Sequence, residues 1–199
     1  MENKLKKTRL STRQITMIGM LSAISIFLGL TGLGFIPLPT MRATIMHIPV
    51  IIGAIVEGPV VGSLVGLVFG LFSMYQNFIA PGPTSFIFWN PIIAIVPRIL
   101  IALIAYYVYS LLQKKLKKES ISIAIASMVA TFTNTAGVLI LAYLFYAQKY
   151  AYALDINPDM AAIGIATIGV TNGIPEAIVS TVICIPVIIS ILKIKKNIN

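Results

Sequence analysis

Between Ile15 and Ile36, and again between Gly58 and Pro83, the chain carries no Asp, Glu, Lys or Arg. Each run matches or exceeds the ~20 apolar residues that take an α-helix across the hydrocarbon of a bilayer. Hydrophobic residues make up 58% of the 199 and charged residues only 11%, with a mean hydropathy of +0.95. That leaves too little polar surface to cover a water-soluble fold. The solvent implied is lipid.

Polar punctuation predicts an all-α membrane protein of six transmembrane helices, at 14–35, 43–56, 59–79, 86–112, 120–146 and 162–192. The second is the odd one. At ~1.5 Å per residue it covers only ~21 Å of a ~30 Å core, and it contains His47 and Pro49. It is expected to be short, bent or partly re-entrant, and shielded by its neighbours.

Twelve of the fifteen Lys and Arg fall in three clusters: Lys4, Lys6, Lys7, Arg9 and Arg13; Lys114, Lys115, Lys117 and Lys118; Lys193, Lys195 and Lys196. Six crossings put all three on one face, which the positive-inside rule makes cytoplasmic. The net charge of +9 is therefore a topology signal and does not call for nucleic acid. The expected organisation is a basic cytoplasmic N-terminus (1–13), a single six-helix domain (14–192) and a basic cytoplasmic tail (193–199). The first apolar run is too long for a signal-peptide core, so it reads as a retained helix.

Chemistry in such a chain is confined to the few polar groups at membrane depth. Arg98 lies sixteen residues from Lys114, Asn134 sixteen from Lys118 and Glu176 seventeen from Lys193. All three therefore share one level, ~24–26 Å from the cytoplasmic lysines. Asn172 is one turn from Glu176 on the same face, and Asn90 sits at the outer mouth. An ionised group in hydrocarbon costs ~2.5–3.5 kcal/mol even on the most lenient scale, so Arg98 and Glu176 must face the protein interior. They are either a structural pair or the floor of a substrate cavity. Pro97 and Pro175 release the carbonyls of Ile93 and Thr171 at this level, which favours the cavity.

His47 is either a hydrogen-bonded packing residue or a substrate contact, and Arg42 either an interface anchor or a mouth residue that attracts anions. Glu57, at the turn between the second and third spans, reads as a solvated cap. A lone His and the single Cys184 supply neither a metal cluster nor a disulfide, and no cofactor is expected. A serine hydrolase using Ser73 and His47 would lack the glycine that shapes an exposed nucleophile. No phosphate-binding G-x-x-x-x-G-K-[ST] loop is present, so any ATP must be hydrolysed by another chain.

Gly58, Gly62, Gly66 and Gly70 recur every fourth residue along one groove of the third span, suited to internal packing or to an approaching partner helix. Gly19, Ser22 and Ala23 make a shorter version on the first. Together with Ala43-Thr-Ile-Met-His-Ile-Pro-Val-Ile-Ile-Gly-Ala54, the Glu57-Gly58-Pro59 turn and Asn172-Gly-Ile-Pro-Glu176, these features resemble the S components of energy-coupling-factor (ECF) vitamin importers. The resemblance implies six helices with both ends inside the bacterial cytoplasmic membrane, and a vitamin held between outer loops and the outer halves of later helices. It also implies docking, through small residues of the first helix, on a membrane-embedded T subunit driven by two cytoplasmic ATPases. Pantothenate or hydroxymethylpyrimidine types look nearest, with pantothenate favoured. The binding residues expected on this basis are Arg98, Asn134, Asn172, Glu176, His47, Asn90 and Arg42, with Gly19, Ser22 and Ala23 at the docking face and no catalytic group. A self-sufficient secondary transporter or channel is the alternative.

Overall fold

Helix starts follow local chemistry. Ser11 and Gln14 form a reciprocal capping box, with each side chain accepting the other's backbone N–H, and so open α1 (Thr12–Thr31), which Gly32 closes in the left-handed region at φ 73°. Prolines 49, 59 and 91 stand in the first turns of α2 (Ile48–Glu57), α3 (Pro59–Ile79) and α4 (Pro91–Leu116), where a missing N–H leaves nothing unpaired. α5 (Glu119–Ala153) and α6 (Ala161–Ile198) complete the chain. The computed structural model describes residues 10–37, 42–82, 84–153 and 161–198.

Five of the six helices, all but α2, are long and apolar enough to cross a membrane. Phe27, Leu30, Leu71, Phe78, Leu111, Leu144 and Val182 on these helices are each at least half exposed, a surface that only lipid tolerates. α2 is different: Ile48 to Val56 are all buried, and the helix packs against α1, α3, α4 and α6. Its ten residues reach ~15 Å, so its neighbours enclose it on every side.

The expected span 43–56 is corrected at its start. Residues 35–37 (β1) and 42–44 (β2) pair as an antiparallel hairpin with Phe35 opposite Thr44, and the helix begins only at Ile48. Non-helical backbone at membrane depth must find partners within the protein, and the two short strands supply them to each other. α5 and α6 run beyond the expected 120–146 and 162–192. The extra length of α5 follows a break at Tyr146, whose φ of −139° is not helical.

The glycine stripe of α3 serves internal packing. A Cβ at Gly62 would lie 2.5 Å from that of Ala54 on α2, and Cβ atoms at Gly66 and Gly70 would collide with the backbone of α4 at Arg98 and Ala94. Gly58 acts differently, because its φ of 101° makes the tight turn that sets α2 beside α3.

Glu57 is not a solvated cap. Its side chain is 6% exposed and bonds Arg13 Nη2 of α1 at 2.9 Å and Lys195 Nζ of α6 at 3.4 Å, and Lys195 also donates to Val56 O at 2.8 Å. One carboxylate thus ties α1, the α2–α3 turn and α6 together at the end of the bundle where the described basic residues gather. That end is called the basic end below.

Candidate substrate-binding site

Toward the opposite end the helices enclose a cavity of ≈ 370 Å³. The hairpin and the residues after it contribute Phe35, Thr44 and Met46, and α3 contributes Phe69, Ser73, Gln76 and Asn77. The connection to α4 adds Ser85 and Phe88, α4 adds Arg98 and α5 adds Asn134. A few polar groups converge on aromatic and sulfur-bearing walls, within the ~300–1,000 Å³ usual for small-molecule sites.

Arg98 is 5% exposed. Pro97 inside α4 leaves the carbonyl of Ile93 without its helical donor, and Arg98 Nη1 bonds that oxygen at 2.9 Å. The guanidinium carbon lies 5.4 Å and 5.2 Å from the ring centres of Phe69 and Phe88, which hold the planar group between them. Among the described residues its Nε has no partner, nor do Asn134 Oδ1 and Thr44 Oγ1. A donor, an acceptor and a hydroxyl, each buried and each on a residue lining the same cavity, are what a polar ligand needs. Buried polar atoms are otherwise almost always paired.

The entrance is tied by side chains of α3. Asn77 Oδ1 accepts from Ser85 Oγ at 2.6 Å, Ser85 Oγ accepts from Gly82 N at 2.8 Å, and Trp89 Nε1 donates to Asn77 O at 3.1 Å. Gln76 Nε2 donates to Gly29 O at 3.0 Å, fastening α1 to α3 at this level. A larger groove of ≈ 600 Å³ lies between α5 and α6, but its walls, such as Phe132, Leu139, Leu144 and Val170, are mostly apolar, with only the hydroxyls of Thr135 and Tyr143 as polar side-chain groups in the lining.

The structure sorts the residues expected from sequence. Arg98 and Asn134 share the cavity. Glu176 is 3% exposed and lies outside its lining; Oε1 accepts from Thr44 N at 2.7 Å and Oε2 from the Thr135 hydroxyl at 3.1 Å. Among the described residues, ion pairs form only at Glu57, so Arg98 and Glu176 are not in direct contact as a pair. His47, fully buried, meets Thr131 Oγ1 through Nε2 at 3.0 Å. Because Thr131 gives its hydroxyl proton to Ser127 O, the imidazole is the donor in that bond. His47 is therefore held to Thr131 on α5.

Asn172 lies a turn along α6, outside the lining. Asn90 caps α4 by accepting from Ile92 N at 3.0 Å. Arg42 belongs to β2, but its side chain lies outside the described residues. Ser73, Gln76, Asn77 and Ser85 went unrecognised as a group, although spacing of three and four residues puts the first three on one face of α3. On α1, Gly19 and Ala23 are exposed and a Cβ at Gly19 would meet nothing within 4 Å, whereas Ser22, at the inward edge of the same face, is buried.

Residues 13–188 match the family described as ECF transporter, substrate-specific component. The chain belongs to that family. It is a vitamin-binding subunit, multi-pass in the cell membrane, of a transporter family and not an enzyme family. Relatives of this S component include the Pantothenic acid transporter PanT of Lactococcus lactis subsp. cremoris (strain MG1363), 30% identical over 175 residues that make up 81% of this chain and 83% of the relative. The Pantothenate transporter PanT of Leuconostoc mesenteroides subsp. mesenteroides is 33% identical over 116 residues, 55% of this chain and 57% of that one.

Proposed function

We propose that this S component captures pantothenate from outside the cell and delivers it through an ECF complex. The observation that carries the reading is the trio of buried, unpartnered atoms in one cavity: Arg98 Nε, Asn134 Oδ1 and Thr44 Oγ1. Pantothenate presents a carboxylate for the planar fork of Arg98, an amide and hydroxyls for Asn134 and Thr44, and methyl groups for Phe35, Met46 and Phe69. The names of both relatives support the same ligand.

On this reading the basic end is cytoplasmic, as the positive-inside rule requires, and the cavity opens outward. The exposed Gly19 and Ala23 face of α1 docks on the membrane-embedded T subunit, and two cytoplasmic ATPases drive release, as is general for the family.

The test is equilibrium binding to the purified subunit alone. Wild type should bind pantothenate tightly and leave it untransported in vesicles. Arg98→Ala should weaken binding about 30-fold or more, the ~2 kcal/mol scale for truncating one member of a buried charge pair, and Arg98→Lys should recover only part. Unchanged affinity in Arg98→Ala would refute the assignment.

A further inference from the structure

We propose that Glu176 is a positioning residue, which pins the free edge of β2 across the cavity wall and so keeps bound substrate from leaving. The inference rests on the reading of this cavity as the substrate site.

Glu176 lies outside the cavity lining, and both its oxygens are engaged within the protein: one accepts from the Thr44 amide at 2.7 Å and the other from the Thr135 hydroxyl at 3.1 Å. The direction of the first bond follows from the hairpin. Ile45 donates its amide to Gly34 O at 2.9 Å, so the amide of Thr44, one residue earlier, points away from β1 to the opposite edge. No third strand covers that edge among the described residues. An uncovered backbone donor at membrane depth is costly, and an ionised acceptor makes a stronger bond to it than a neutral one.

Thr44 is also part of the cavity wall, with Phe35 opposite it in register and Met46 two residues on. The carboxylate therefore links the β2 wall of the cavity to α6 directly and to α5 through Thr135. If that link breaks, the two-stranded ribbon of three-residue strands keeps its packing on α6 and the bond from Ser25 Oγ to Met46 O at 3.1 Å, but loses the tie at Thr44 itself. Opening of this wall would carry Thr44 away and let a ligand out, while Arg98 and Asn134 on the helices stay in place.

The experiment uses the full-length subunit in detergent, with tritiated pantothenate and amide hydrogen exchange. Glu176→Ala should raise the dissociation rate about 10-fold and leave the association rate within about twofold, the usual signature of lost retention. Exchange at the amides of 43–46 should accelerate in the same variant without ligand. Glu176→Gln, which keeps an acceptor oxygen for Thr44, should restore most of both. Should Glu176→Ala fail to fold, Thr135→Val removes one bond, keeps the charge, and should raise dissociation about threefold. Unchanged exchange and dissociation would overturn the proposal, and so would faster dissociation with exchange unaltered, which would mark a direct ligand contact. If wild type binds no pantothenate, the substrate reading fails, while the ligand-free exchange measurement still decides the role of Glu176.

Discussion

At the scale of single residues, Arg98 and Glu176 stand at one depth and bear opposite charges, yet each has other partners: Ile93 O and two aromatic rings for one, Thr44 and Thr135 for the other. Removing the guanidinium therefore does not strand a carboxylate. Arg98→Ala should lose affinity and, by leaving the buried Ile93 carbonyl without a donor, some stability as well, and the added change Glu176→Gln should restore neither. Recovery of affinity in the double variant, measured by calorimetry beside a melting curve, would show the two to be a structural pair. Counting residues from the basic clusters was enough to place Arg98 and Asn134 together, because helical rise converts sequence distance into depth. Counting could not reveal what each side chain bonds. That depends on rotation about the helix axis and on Thr44 in a strand whose existence the apolar pattern concealed.

Among the elements, α2 and α3 show what small residues accomplish where lipid removes the hydrophobic drive for helices to associate. Gly66 lets α3 touch the backbone of α4 at the turn that carries Arg98. Gly66→Val should cost about 1–3 kcal/mol by overpacking and should displace Arg98, so that affinity falls together with the melting temperature. Gly19→Val, on the open face of α1, should leave both unchanged in the isolated subunit. The five long helices were legible because an uncharged run of sufficient length has no other stable outcome in a bilayer. The hairpin was not legible: Pro37 and Pro39 mark a break after the first span, but nothing local says that 35–37 and 42–44 pair, or that Thr44 reaches Glu176. Glu57 misled for a similar reason, since Arg13 and Lys195, which desolvate it, are remote in sequence.

For the whole molecule, binding and delivery are expected to separate. Ala23→Trp adds bulk to an exposed face of α1, on a different helix from Arg98 and Asn134, so pantothenate binding by the purified subunit should persist while uptake by cells is abolished. Equal loss of both would place this face inside the working fold. Orientation can be read by labelling single cysteines introduced at Lys117 and Lys193, the native Cys184 being buried. Protection from an impermeant reagent in intact cells is expected, and labelling from outside would invert the molecule. The clamp at the basic end also bears on how the protein is made. Lys195 and Val56 are 139 residues apart, and α2, too short to hold a place in the bilayer by itself, needs α6 as one of its walls. During synthesis the second helix must therefore wait, lodged against α1 and α3, until α6 has entered the membrane, which leaves the nascent chain open to membrane proteases while α4 and α5 are being made.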